Sequence, residues 1–222
     1  MVQLLAFWLG GRSAQKPIAD WLNRSIMAGW LLTASTHRFR FGYTPPTNRP
    51  IIFVANHQSM FDISPIAWYL RGYNPVFVSK IELSRGTPSI SYNLRKSGAA
   101  LVDRNDIRQA IGELARLGNQ LKKGGCSVVI FPEGTRSRDG KPKPFAAGGL
   151  NILLRKCPDA LIVPIAICGT GHFNPDGLFP LRPHSRMSWT VLPPIEPVGL
   201  TGEQVARQTQ EAILAHVPAR TT

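Results

Sequence analysis

Ile51-Ile52-Phe53-Val54-Ala55 runs directly into Asn56-His57-Gln58-Ser59-Met60-Phe61-Asp62, and the reading of this stretch decides the fold. The apolar run, bounded by Pro50 and the polar Asn56, predicts a buried strand. Ser64-Pro65 follows: a capping hydroxyl, then a proline suited to the first helical position. His57 and Asp62 therefore fall in a strand-to-helix turn, at the carboxyl end of a strand, where open α/β sheets place their ligands. On a regular helix, residues five apart point about 140° apart, at ~100° per residue. A turn can instead fold the carboxylate back onto the imidazole. A His held by an Asp is a general base whose cation is stabilised as it forms. For the pair alone, a hydrogen-bonded structural histidine is the plainer alternative.

A second cluster, Ile130-Phe131-Pro132-Glu133-Gly134-Thr135-Arg136-Ser137, also follows a β-branched run, Val128-Val129-Ile130. Gly134 permits a close backbone approach to a ligand. Arg136 offers a planar fork that suits phosphate or carboxylate. Arg138, Lys141 and Lys143 follow against one acid, Asp139; a solvated basic loop would account for them equally.

Further strands are predicted near 75–79, 99–102, 126–131, 161–167 and 187–192, with helices between several of them. The clearest helix runs from Asp106 to Lys123, capped by Asp106. Its apolar stripe is Ile107, Ala110, Ile111, Leu114, Leu117 and Leu121, and Gly124-Gly125 ends it. Another follows Gly148-Gly149 and carries Leu150, Leu153 and Leu154. The last begins at Thr201, with Gln204 completing a capping box, and is expected to bury Val205, Ile213 and Leu214. This alternation predicts an α/β fold, with helices flanking a mostly parallel central sheet. The 222 residues suffice for one domain with a sizeable core.

The amino-terminal segment reads differently. Pro45-Pro46-Thr47-Asn48-Arg49-Pro50 marks a linker, separating an amphipathic membrane-binding segment (1–45) from the catalytic domain (46–222). Met1 to Gly10 carries no charge, and its basic neighbour Arg12 follows the apolar run, unlike a signal peptide. A helix is expected from Pro17 to about His37. Its uncharged part, Ser25 to Thr36, is 12 residues, or roughly 18 Å at 1.5 Å per residue. A span needs about 30 Å. With Trp21 and Trp30 as interfacial anchors, the segment is expected to lie in one leaflet; a helix packed on the protein's own core is the alternative.

Lys and Arg number 26 against 13 acids, for a net charge of +13. Nucleic acid, an anionic membrane or a highly charged substrate could each explain this excess. Nucleic acid is disfavoured, because no motif interleaves aromatics with basic residues. Cys126, Cys157 and Cys168 are odd in number, have no metal spacing and read as small buried residues of a reducing compartment. His172 and Asp176 echo a His/Asp pair, but Asn174-Pro175-Asp176-Gly177 is a turn signature, so residues 172–177 read as loop. No metal or other cofactor is called for.

Two further blocks complete a pattern. Ser79-Lys80-Ile81-Glu82-Leu83 with Ser97-Gly98-Ala99-Ala100-Leu101-Val102-Asp103-Arg104 lies between the two clusters, and Ile162-Val163-Pro164-Ile165-Ala166-Ile167-Cys168-Gly169-Thr170 follows them. Together, from Asn56 to Thr170, the four blocks resemble the glycerolipid acyltransferases in order and spacing, most of all those that acylate 1-acyl-glycerol 3-phosphate. NHQSMFD matches the family's H-x4-D motif and FPEGTRS its phosphate-binding block. The chain departs at Ile90-Ser91, where the family often has Gly after an aromatic, near the acyl chain.

The resemblance implies a glycerol-3-phosphate acyltransferase-like fold and acyl transfer from acyl-CoA or acyl carrier protein to lysophosphatidic acid or a similar lysolipid. The product would be phosphatidic acid, made at an anionic membrane surface on the cytoplasmic face of the inner or plasma membrane. His57 would take the hydroxyl proton and Asp62 would fix its tautomer. Backbone amides near Asn56 and Gly134 are candidate oxyanion donors. Arg136, then Lys80 and Arg104, would hold the acceptor phosphate, although Arg104 could instead pair with Asp103 or Asp106. Glu133 would orient Arg136 or accept a glycerol hydroxyl, and Thr135 would donate to phosphate or cap the turn. Ser59 reads as a turn residue, an acyl-serine being the alternative. Glycerol 3-phosphate or another lysolipid as acceptor, a hydrolase sharing the dyad, and a non-catalytic basic lipid- or nucleic-acid-binding protein stay open at this point.

Overall fold

The computed structural model describes residues 2–85, 88–137, 142–177 and 179–217. Seven strands form one sheet: β1 (Thr36–Phe41), β2 (Ile51–Ala55), β3 (Pro75–Lys80), β4 (Ala100–Val102), β5 (Ser127–Ile130), β6 (Leu161–Cys168) and β7 (Arg186–Val191). Their order is β1-β7-β6-β2-β5-β3-β4. Every pairing is parallel except β6 with β7. The helices are α1 (Val2–Gly29), α2 (Ile63–Tyr69), α3 (Pro88–Lys96), α4 (Ile107–Lys122), α5 (Gly148–Lys156), α6 (Thr170–Phe173) and α7 (Gly202–Leu214).

The composition of β2 explains its central place. Ile51, Phe53 and Ala55 pack on one side with Met27, Trp30, Ile66 and Leu70 of the α1–α2 layer. Ile52 and Val54 pack on the other with Leu117, Leu121, Leu150, Leu153 and Val205 of α4, α5 and α7. A strand covered on both faces needs an unbroken apolar run. Burying each of its large side chains contributes about 1.5–3 kcal/mol. The carboxyl ends of β2 and β5, in register from Ile52–Val128 to Val54–Ile130, bring the two sequence clusters side by side.

Five local expectations are corrected. The amino-terminal helix begins at Val2, passes through Pro17 and stops at Gly29, and a 3-10 turn (Trp30–Thr33) follows. His37 instead lies in β1, an edge strand absent from the sequence reading, which pairs in parallel with β7 from Thr36–Arg186 to Phe41–Val191. Its alternation of Thr, Arg and aromatics suits an edge position with charges outward. In α4, Leu114, Leu117 and Leu121 are buried, but Ile107 and Ile111 are 72% and 46% exposed. The first turn of the stripe therefore faces solvent. In α7, Val205 and Ile213 are buried and Leu214 is exposed. Asp106 caps α4 through the Gln109 amide, and Thr201 with Gln204 forms a capping box. His172 falls in the short helix α6.

The end of α1 and the 3-10 turn after it are part of the fold. Trp30 is 3% exposed and stacks on Trp189 at 6.1 Å between ring centroids. The Arg24 and Arg71 guanidiniums approach the Trp68 ring at 5.6 and 4.2 Å. Among the described residues, no helix is long and apolar enough to cross a membrane.

Candidate active site

The turn after β2 is built by its own capping. Ser59, not Ser64, starts the helical region: its hydroxyl accepts from the Phe61 amide, and Asp62 closes a capping box over the 3-10 turn Met60–Asp62. This folds the Asp62 carboxylate back over the preceding backbone. Its Oδ2 accepts from the Gln58 amide at 2.7 Å, the Ser59 amide at 2.9 Å and His57 Nδ1 at 2.8 Å. Its Oδ1 accepts from the Thr170 hydroxyl at 2.5 Å. Asp62 is fully buried, whereas the His57 side chain keeps 18% of its surface exposed. With Nδ1 turned to the carboxylate, the proton lies on Nδ1 and Nε2 is left as the basic nitrogen. The imidazole stacks on Phe131 at 4.4 Å. Asn56, also fully buried, ties the turn to β6: its side chain donates to the Ile167 carbonyl and accepts from the Ile167 amide.

The FPEGTRS loop is fastened to this turn. Glu133 Oε1 accepts from the His57 amide at 2.7 Å. Its Oε2 accepts from the Ser137 hydroxyl at 2.6 Å and the Lys143 amide at 2.9 Å. The Ser137 amide donates to the His57 carbonyl at 2.7 Å. Glu133 is thus hooked to the backbone of the histidine, in place of the expected contact with Arg136. Gly134 sits at φ +67°, a left-handed turn open to solvent, and its amide donates to the Phe131 carbonyl. The amides of His57, Gln58, Ser59 and Gly134 are therefore turned onto Glu133, Asp62 and Phe131, not toward a reacting oxygen.

The cations are arranged unequally. Arg136 is half-buried in the same loop, and Lys143 Nζ donates to its carbonyl at 3.2 Å. Thr135 is exposed beside it. Lys80, at the end of β3, is paired with Glu82 at 2.7 Å. The Lys80 hydrogen bond, chiefly, holds the Glu82 carboxyl below its ordinary range, and the Arg104 charge assists. Lys80 ends β3 and Arg104 follows β4, two and three strands from β2 of the dyad in the sheet order. Arg138 and Lys141 lie outside the described residues. No group of three or more potential ligands could hold a metal among the described residues.

A groove of about 430 Å³ opens between α1, α2 and β3. Met60 and Phe61 of the dyad turn and Ile26 of α1 line it, and Phe77 and Ser79 of β3 form one wall. Gln15, Lys16 and Asp20 of α1 and Asn74 also line it, with Lys16 and Asp20 ion-paired at 3.2 Å.

Sequence reasoning placed His57 and Asp62 together and missed Thr170, Asn56 and Ser137 as partners of the turn. Thr170 closes the fourth sequence block, and this was its only signal.

The Acyltransferase family model matches residues 38–168. A chloroplastic 1-acyl-sn-glycerol-3-phosphate acyltransferase of Brassica napus is 35% identical over 133 residues, 60% of this chain and 37% of its own. That of Arabidopsis thaliana is 32% identical over 151 residues, 68% of this chain and 41% of its own. The chain thus spans about two fifths of the length of these curated relatives. The crystal structure of a 1-acyl-sn-glycerophosphate acyltransferase from Thermotoga maritima superposes with a TM-score of 0.76 at 25% identity, covering 93% of this chain and 80% of that one.

Proposed function

Since the chain belongs to the acyltransferase family, we propose that it moves a fatty acyl group from an acyl thioester to the free hydroxyl of 1-acyl-glycerol 3-phosphate, forming phosphatidic acid. The observation that carries this reading is the His57 Nδ1–Asp62 hydrogen bond of 2.8 Å in a turn whose Met60 and Phe61 line the groove. The acceptor hydroxyl attacks the thioester carbonyl carbon while His57 Nε2 takes its proton, and the new C–O bond forms. Collapse of the tetrahedral intermediate breaks the C–S bond. The leaving sulfur takes the proton back from the imidazolium, so the base is regenerated. Asp62 stabilises the imidazolium in between. The names of the relatives support the acceptor, and the groove beside the dyad supports an acyl-bearing substrate. The thioester carrier is coenzyme A or acyl carrier protein.

The test is thioester consumption by the purified protein in detergent, with acyl-CoA and 1-acyl-glycerol 3-phosphate. Phosphatidic acid as product is the expected result. Thiol release without the diacyl product would replace the reading with a hydrolase.

Arg136 holds the acceptor phosphate in this reading, because it shares the loop hooked to His57. Arg136→Ala is expected to raise KM for the phosphorylated acceptor about 10–100-fold, from the ~1.5–3 kcal/mol of a charge-assisted hydrogen bond. Steady-state kinetics with an acceptor lacking phosphate should show no such rise; an equal loss there would refute the role.

α1 is the membrane-contacting segment in this reading, on the cytoplasmic face of an anionic bilayer that attracts the +13 chain. Trp8 and Trp21 are 81% and 65% exposed. The double substitution Trp8→Ser/Trp21→Ser should weaken binding to anionic vesicles at least about tenfold, a change of ~1.4 kcal/mol, with an unchanged circular dichroism spectrum. Undiminished binding in a sedimentation assay would move the contact elsewhere. Removing residues 1–40 outright would be a poorer test, because it deletes buried Met27 and Trp30 and most of β1.

A further inference from the structure

We infer that Thr170 is the third member of the relay: its hydroxyl locks the Asp62 carboxylate and so sets the tautomer and orientation of His57. The inference rests on the proposed acyl transfer for its kinetic consequence and on geometry alone for its structural one.

The two oxygens of Asp62 have separate duties. Oδ2 receives His57 Nδ1 and two amides of the turn, all from within residues 57–59. Oδ1 receives the Thr170 hydroxyl, brought from the far end of β6, 108 positions away in sequence. Thr170 and Asp62 are both fully buried. The hydroxyl has one proton to give. Gln58 Oε1 stands 3.3 Å from Thr170 Oγ1 and 3.4 Å from the Gly171 amide. The shorter contact, to Asp62, takes the proton, and Gln58 accepts from Gly171.

The chain is shaped to deliver this hydroxyl. Gly169 has φ +83°, and a Cβ there would meet the Arg186 carbonyl oxygen at 2.1 Å. Only glycine fits, and the turn it makes after β6 carries Thr170 directly over the carboxylate. Asn174, one turn on, accepts from Ser59 Oγ at 3.2 Å, so the same segment also holds the residue that caps the dyad turn.

A valine at 170 keeps the shape and removes the donor that buried Oδ1 has among the described residues. The carboxylate then gains by rotating toward another donor, and the His57 Nδ1 proton loses its fixed acceptor. Thr170→Val should therefore lower kcat about tenfold or more, part of the 10²–10⁴-fold that a general base supplies. KM for the acceptor should stay within about twofold. Thr170→Ser, which restores the hydroxyl, should recover most of kcat.

Nitrogen-15 NMR of the His57 ring provides the reading that needs no turnover. The parent protein and Thr170→Ser should show a single neutral tautomer with the proton on Nδ1, and Thr170→Val a mixture. An unmixed tautomer in folded Thr170→Val, or a valine variant with parental kcat, would overturn the inference. So would a serine variant as slow as the valine one, since methyl packing would then be the cause. If tautomers mix as expected while the parent protein makes no diacyl product, the relay stands and the proposed acyl transfer falls.

Discussion

Replacing His57 by Ala is expected to lower turnover at least ~100-fold, the low end for a general base, while leaving the protein folded. The structure separates these two outcomes. Removing the ring takes one donor from Asp62, but the Gln58 and Ser59 amides and the Thr170 hydroxyl continue to satisfy the buried carboxylate. The Glu133 hook grips the backbone of residue 57 and survives the change. What is lost is the stacking on Phe131 and the basic nitrogen. Thiol release measured beside a thermal melt checks both halves: kcat should collapse with a shift of a few degrees at most. An Ala variant with full activity would remove the mechanism. The rival route through an acyl-serine is unfavourable on the same geometry. Ser59 Oγ is buried, accepts from the Phe61 amide and donates to Asn174, so using it as a nucleophile would dismantle the cap of the turn. Trapping an acyl group on Ser59 would reverse that judgement.

The legible parts of the sequence were those set by neighbours along the chain. An unbroken apolar run gave β2, and the five-residue spacing gave a turn in which His57 meets Asp62. Asp106 and Thr201 announced their helices because a cap is a local hydrogen bond. The illegible parts depend on what the chain meets from far away. Ile107 and Ile111 continue the apolar stripe of α4, yet they stay exposed while Leu114, Leu117 and Leu121 are buried, a difference periodicity alone does not carry. Residues 36–41 alternate aromatics with Thr36, Arg38 and Arg40 but lack an aliphatic run, and only the pairing with β7 makes them an edge strand. Ser64-Pro65 have the sequence of a cap, yet Ser59 does the capping, because a 3-10 turn at Met60–Asp62 precedes α2 and leaves Ser64 and Pro65 inside the helix. Thr170 reaches Asp62 only through the β2–β6 pairing. Of the two roles read for Glu133, the contact with Arg136 gives way for the same reason: beside Arg136 in sequence, Glu133 is beside His57 in space.

That reassignment of Glu133 makes the second large prediction. A carboxylate accepts only, and among the described residues Glu133 uses both oxygens on three donors: the His57 amide, the Ser137 hydroxyl and the Lys143 amide. Glu133→Ala should leave the buried Ser137 hydroxyl and the part-buried His57 and Lys143 amides without this acceptor, and cost about 1–3 kcal/mol of stability. It should also free the backbone of residue 57 to shift. A displacement near 1 Å at a reacting group costs on the order of 10²-fold in rate, so kcat should fall about 100-fold. Glu133→Gln should lie between. With its one oxygen kept on the His57 amide, its NH2 group confronts Ser137, whose hydroxyl can turn to accept, and the Lys143 amide, which cannot. The competing role, in which Glu133 accepts a hydroxyl of the glycerol acceptor, makes the opposite pattern: KM for the acceptor rises, and the thermal midpoint stays put. Acceptor kinetics and calorimetry on the same two variants decide between them. A midpoint that does not move in Glu133→Ala would mean the hook contributes nothing to the fold, and that the carboxylate is there for the substrate.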